Sequence, residues 1–415
     1  MEGRVYFYKL ERYLMNYADT AFILICTMFV FFMTPGLAIF YGGLVRRRNV
    51  VGLMEQSYIA IGVVGILWML FGFSLAFGND IGGVIGDMAY VFMKGVSVEP
   101  NGDIAPNIPF VLYFVFQLAF AVITPALISG AVAERMNFKA YTIFIGLWSI
   151  FVYSPAAHLV WGGGFFAKMG VLDFAGGLVI HLTAGVSAFA AAMYVGARKN
   201  EDYTPCNMAY VSIGAGILWA GWFAFNGGSA LAANGTASLA VANTLLASAW
   251  ALFGWLLLKR LSGAKATLLD TLLGGIAGLV VITPMAGYVE PWCTIPVGLA
   301  GAFMCSSAIR LRTALHLDDT LDVWALHGVG GATGVILGGV FACGDLAPSS
   351  GALYGNMAQL GVQALAVLCI AAFSFIMTML LLKVTDCVTP VRMSEHDETA
   401  GLDLTAHGEL LYYRK

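Results

Sequence analysis

The sequence predicts an all-α polytopic membrane protein. Eleven transmembrane helices form two inverted five-helix repeats plus a final helix, with the N-terminus outside and the C-terminus inside. Three observations carry this. The 415 residues are 60% hydrophobic and only 11% charged, with a mean hydropathy of +0.82. That is roughly half the charge of a typical soluble domain. Second, the apolar residues fall in runs long enough to cross about 30 Å of hydrocarbon, and the runs do not alternate as barrel strands must. Third, two distant segments share an outline. Asp173 precedes His181 as Asp319 precedes His327, and small residues follow each histidine.

The runs lie at about 20–44, 53–77, 109–133, 140–160, 176–197, 208–231, 239–258, 271–289, 293–311, 322–343 and 359–385. Several contain breaks, as at Thr34-Pro35-Gly36, Thr124-Pro125 and Thr283-Pro284. Such breaks persist in a membrane where neighbouring helices or a cavity satisfy the freed backbone groups. The 50 glycines are dispersed through the apolar runs. Small residues there let helices approach closely.

Basic residues set the orientation. With the N-terminus outside, the inner loops carry Arg46, Arg47, Arg48, Arg135, Lys139, Arg198, Lys199, Lys259, Arg260, Lys265, Arg310 and Arg312. The outer loops between spans hold only Lys94 and Lys168. Arg4, Lys9 and Arg12 count against this orientation without reversing it. No cleavable signal peptide is evident before Asp19, so the first span directs insertion. The outer loop at about 78–108 reads as irregular. The polar tail, 386–415, is too short for a catalytic domain.

The breaks in spans 3 and 8, and the Asp…His entries to spans 5 and 10, are offset by five spans. An odd number of spans per repeat inverts the second copy, and transport paths lie at such repeat interfaces. Repeat one covers about 20–197, repeat two about 208–343, and the eleventh helix about 359–385.

His181 and His327 are the leading candidate site residues. An ionisable residue in an apolar span faces a partner or a polar path more often than lipid. Taken singly, each suits a hydrogen bond between helices. Paired across a repeat, they suit proton handling in a pore, with a neutral hydrogen-bonded pair at rest. Asp173 reads as a helix N-cap or as a negative charge near a cation entrance. Asp318, Asp319 and Asp322 read as caps and as partners of Arg310 or Arg312. Trp161 reads as an interfacial anchor or a cation–π surface. Phe120 and Phe225 read as core or as gate, and Ser229 supplies a hydroxyl near the outer mouth. His158 reads as interfacial or capping.

Seven cysteines without CxxC spacing read as buried thiols, with a Cys293–Cys343 bridge as the alternative. No metal-ligand spacing and no nucleophile elbow occur. A net charge of −3 gives no sign of a nucleic-acid partner, and the composition excludes a soluble enzyme. Paired histidines also admit a haem with two axial ligands, which a missing Soret band would dismiss. No cofactor is expected.

Seven strings then carry a resemblance. They are FYGGLVRRRN at 40–49, GAVAER at 130–135, HLVWGGG at 158–164 and DFAGGLVIH at 173–181. GWFAFNGGS at 221–229, DDTLDVWALHGVGG at 318–331 and GLDLTAHGE at 401–409 complete them. The chain resembles the Amt/Rh ammonium transporter family, on the Amt side, over nearly its whole length. The resemblance implies a homotrimer in the cell membrane, with a pore in each subunit. By position, Trp161, Ser229, Phe120 and Asp173 match the outer ammonium-recruitment site. Phe120 and Phe225 match a stacked aromatic gate, and His181 and His327 match the twin histidines of the pore. Ammonium would be bound, deprotonated near the gate and passed as ammonia, with net electrogenic transport and methylammonium as an analogue substrate. A PII-type signalling protein is the implied partner on the cytoplasmic face. The family also contains ammonium sensors, which bind with little or no conduction. Two departures stand out. Trp324-Ala-Leu replaces a frequent Phe-Gly-Val, and Arg48 replaces a frequent Lys.

Overall fold

The computed structural model describes residues 15–199 and 204–412. Arg4, Lys9 and Arg12, which weigh on orientation, lie outside the described residues.

Eleven helices are long and apolar enough to cross a membrane. They are Tyr17–Leu44, Arg47–Phe77, Phe110–Ala131, Phe138–Lys168, Gly177–Val195, Met208–Gly228, Gly235–Leu261, Leu268–Met285, Pro291–Ala314, Trp324–Phe341 and Met357–Val388, here spans 1 to 11. Each predicted apolar run falls on one of them. The first described residues and the tail sit at opposite ends of the bundle. The amide of Asn16 bonds the carbonyl of Asn107, in the loop before span 3. The amide of Leu402 bonds Asn49 Oδ1, at the junction of spans 1 and 2.

Glycine sets how closely the spans approach. A Cβ on Gly214 of span 6 would stand 2.3 Å from the Phe40 nitrogen of span 1. A Cβ on Gly185 of span 5 would stand 1.9 Å from the Gly328 nitrogen of span 10. At that second crossing the two backbones touch with no side chain between them. It lies one turn from His181 and beside His327.

Spans 5 and 10 share a second peculiarity. Each begins with a π-helical turn, Gly177–Leu182 and Trp324–Val329, and each turn contains its histidine. Each start is capped by the aspartate that precedes it. Asp173 Oδ1 accepts from the amides of Gly176 and Gly177 at 2.9 and 2.6 Å. Its Oδ2 accepts from Leu178 and Val179 at 2.8 and 3.2 Å. Asp319 accepts from Val323 and Trp324 at 3.1 and 2.7 Å. The first four amides of a helix have no partner within it, and Asp173 satisfies four in a row. Gly176, at φ 112°, makes the left-handed turn that this wrap requires.

Several expectations are corrected. The loop at 78–108 is not wholly irregular. It holds two short antiparallel hairpins, Asp80–Ile81 with Ile85–Gly86 and Pro100–Asn101 with Ala105–Pro109. Cys293 and Cys343 are both free, and Cys369 and Cys387 are exposed instead of buried. Asp322 does pair with Arg312, at 2.8 Å, but Asp318 pairs with Arg198, also at 2.8 Å. Arg198 follows span 5, so sequence distance concealed that partner.

Candidate functional site

A vestibule and a narrow chamber lie in line, separated by two phenylalanines. The vestibule, about 340 Å³, is lined by Gln117, Phe120, Trp161, Asp173, Ser229 and Tyr288 among others. Four of these were candidates from the sequence. Trp161 is turned into the bundle, since its Nε1 donates to the carbonyl of Asp173 at 2.9 Å. That bond helps orient the indole, which lines the cavity. Ser229 donates its hydroxyl to the Phe225 carbonyl at 2.8 Å, so its oxygen lone pairs remain as acceptors. The Asp173 carboxylate is buried, with both oxygens committed to the start of span 5. Burial pushes its pKa above the usual carboxylate range, and the four amides pull against that shift. Its side chain offers the vestibule no free ligand atom, because both oxygens hold the start of span 5.

Phe120 and Phe225 close the floor. Their centroids are 4.6 Å apart with the planes at 68°, an edge-to-face pair at the position of the expected stacked gate. The ring quadrupole favours that arrangement. Both rings are almost fully buried.

Below them lies a chamber of about 30 Å³, lined by Phe225, Trp222, Tyr41, Leu218, His181 and His327 among others. That is room enough for a water-sized molecule. The two histidines meet there, Nδ1 to Nδ1 at 3.2 Å. One nitrogen must donate and the other accept, so a neutral pair shares one proton across the contact. The His181 ring lies nearly parallel to Trp222 and Phe225, at 5.4 and 5.9 Å between centroids. Its Nε2 is buried with no hydrogen-bond partner. Neighbouring polar groups are satisfied elsewhere. Trp222 donates to Thr283 at 2.9 Å and Tyr41 to the Leu127 carbonyl at 3.2 Å. The pore wall thus offers imidazole and little else that is polar.

Gly185 and Gly331 permit the pairing. A Cβ on Gly331 would stand 2.9 Å from the Cβ of His181. Trp324 packs on Phe189, at 5.2 Å between centroids, and lines neither cavity.

The opposite end holds Glu134, to which the sequence assigned no role, and arginines that it counted only as inner-loop charges. Glu134, fully buried and at φ 71°, takes Arg46 and Arg198, each at 3.1 Å. Arg135 donates to the carbonyls of Gly196 and Ala131 and to Thr320. The string containing both residues supported the resemblance without revealing that they tie several loops together. The tail docks on the same end. Asp403 accepts the Gly52 amide at 2.8 Å, Arg48 donates to the Thr399 carbonyl at 2.5 Å, and Glu398 takes Arg392 at 2.8 Å. His158 is fully buried rather than exposed, and of the interfacial and capping readings its contact with the Ala76 carbonyl, in the last turn of span 2, favours the second.

Residues 21–412 match the sequence profile of the Ammonium Transporter Family. The chain belongs to that family. It is a multi-pass membrane protein and a member of a transporter family, not of an enzyme family. It is 43% identical over 404 residues to a Bacillus subtilis protein named Ammonium transporter, covering 96% of this chain and 99% of that one. Its fold matches the crystal structure of Candida albicans Mep2 with a TM-score of 0.86 and 33% identity, over 92% of this chain and 87% of that one. A solved structure named Sensor Amt Protein matches with a TM-score of 0.85 and 28% identity, over 94% of this chain and 98% of that one.

Proposed function

We propose that this protein conducts ammonium nitrogen across the plasma membrane by recruiting the ion, removing a proton and passing ammonia. The observation that supports this most is the order of surfaces along one path. An aromatic side chain and a hydroxyl acceptor in the vestibule give way to a buried phenylalanine pair, then to a small, mostly apolar chamber.

Each stage has a physical task. In the vestibule, Trp161 offers cation–π attraction and Ser229 an acceptor, replacing part of the ion's water. The chamber opposes a bare ion, because desolvation without compensating partners is costly. Ammonia is neutral and small enough for about 30 Å³. The histidines give it a row of nitrogens to bond. Their shared proton lies on a route by which the released proton follows, making net transport electrogenic. The vestibule faces outward and the docked tail inward, in keeping with the basic loops. The assembly is a homotrimer with a pore in each subunit, and the tail face is where a PII-type protein would bind.

Flux of methylammonium into proteoliposomes tests the proposal. Wild-type protein should give saturable uptake with current, and Trp161→Leu should raise the half-saturation concentration. Absence of flux alongside measurable ammonium binding would sink the conduction reading. That second result is what a sensor predicts, and the similarity to the Sensor Amt Protein structure is the observation favouring it.

A further inference from the structure

Trp161 is the last residue of a helical turn and the first of a loop containing Gly162, Gly163 and Gly164. Such a loop does not hold an indole by itself, because glycine leaves the backbone free. The indole has its Nε1 bond to the Asp173 carbonyl, and the chain on either side of it is held by a carboxylate from another part of the chain. His158, one turn before Trp161, is fully buried. Its Nδ1 lies 3.0 Å from the Ala76 carbonyl of span 2, and its Nε2 lies 2.9 Å from Asp80 Oδ1 in the first hairpin. A carbonyl and a carboxylate only accept, so both contacts are hydrogen bonds when each ring nitrogen carries a proton. Beyond Trp161, Lys168 reaches Asp80 Oδ2 at 2.5 Å. The same carboxylate therefore grips the chain on both sides of the tryptophan.

The backbone reinforces the grip. Phe165 donates to the Gly83 carbonyl of the hairpin at 2.7 Å, and Gly164 to the His158 carbonyl at 2.9 Å. A Cβ on Gly162 would stand 2.0 Å from the Ala76 oxygen and 2.6 Å from His158 Nδ1, so the loop lies directly on the clasped ring. Hydrogen bonds from Lys168 and His158 hold the Asp80 pKa down at about 2. The neighbouring Asp87 is engaged elsewhere, by Asn79 and Ala89.

We propose that Asp80, His158 and Lys168 form a clasp that fixes the pose of Trp161 and so sets the affinity of the vestibule for its cation. None of the three touches the substrate path, and they act as positioning residues. This rests on the recruitment role proposed for Trp161. A preorganised aromatic surface binds without first being ordered, so loosening it weakens recruitment and leaves the chamber below unchanged.

The test is the concentration dependence of methylammonium flux in proteoliposomes for wild type, Asp80→Asn, His158→Gln and the double variant, with Trp161→Leu alongside. Each clasp variant should raise the half-saturation concentration about five-fold with a maximal rate within about two-fold of wild type. The double variant should fall short of the product of the two single effects, because the singles share the Asp80–His158 contact while Lys168 and Ala76 hold one residue each. Asp80 is partly exposed, so Asp80→Asn still decides the matter should His158→Gln not fold. An unchanged half-saturation in folded Asp80→Asn, or single effects that multiply in the double, overturns the clasp. A shift in Trp161→Leu without one in Asp80→Asn overturns the clasp alone. No shift in either overturns the recruitment role as well.

Discussion

Replacing Gly185 by Ala should separate the two histidines. The new methyl carbon would stand 1.9 Å from the Gly328 nitrogen and 2.3 Å from its Cα, both backbone atoms with no rotamer to yield. Ordinary contact begins near 3.4 Å, so spans 5 and 10 must part by about 1.5 Å at the crossing. The Nδ1–Nδ1 contact of 3.2 Å lies beside that crossing and cannot survive such a movement as a hydrogen bond. Overpacking of this kind costs about 1–3 kcal/mol, and a rigid backbone neighbour argues for the upper half. Losing the histidine contact removes a further ~1 kcal/mol. If transport uses that contact, the rate falls by up to about ten-fold. The assay is methylammonium flux together with thermal unfolding of purified protein. Gly216→Ala is the control, since nothing lies within 4 Å of its would-be Cβ. Wild-type flux and stability in Gly185→Ala would refute the reasoning that backbone contact governs the pair.

Three more predictions follow from the same geometry. His181→Ala and His327→Asp should alter methylammonium current or ion selectivity while the protein remains folded and assembled, and unchanged currents in both would defeat the pore role. Asp173→Ala leaves four buried amides without their acceptor and should lower stability by at least ~2 kcal/mol, read by denaturation of the solubilised protein; Asp173→Asn, which keeps one oxygen acceptor, should lose less. The folded state holds Asp80 at about 2, below its ordinary value, so its contacts stabilise fully above the usual carboxylate range and fade as pH falls through about 2. The stability difference between wild type and Asp80→Asn should therefore shrink as pH falls below the usual carboxylate range towards about 2.

The spans were legible because a membrane demands long apolar runs, and composition alone identifies them. The histidines were legible because two Asp…His segments matched across the chain. The π-helical turns that hold those histidines were not. In a helix apolar on every face, hydrophobic periodicity carries no phase, so an extra residue in one turn leaves no trace. The clasp was hidden for another reason. His158 and Asp80 are far apart in sequence, and the loop carrying Asp80 read as irregular. Without its partner, His158 read only as an interfacial or capping residue. Asp318 was assigned to nearby arginines because proximity in sequence was the available guide, whereas Arg198 reaches it through space. The Phe120–Phe225 angle belongs to packing between spans 3 and 6 and is written in neither span alone.

The π-helical turns at 177–182 and 324–329 have a consequence for how these helices can change. A single inserted residue rotates everything beyond it by about 100° relative to everything before it. Each of the two helices is thus split into a capped segment keyed to its aspartate and a following segment keyed to its neighbours. Deleting one residue inside either turn would restore an ordinary helix and turn the histidine, together with one flanking segment, off its present heading. Sequence length in those six residues, as much as residue identity, is what aims the imidazoles.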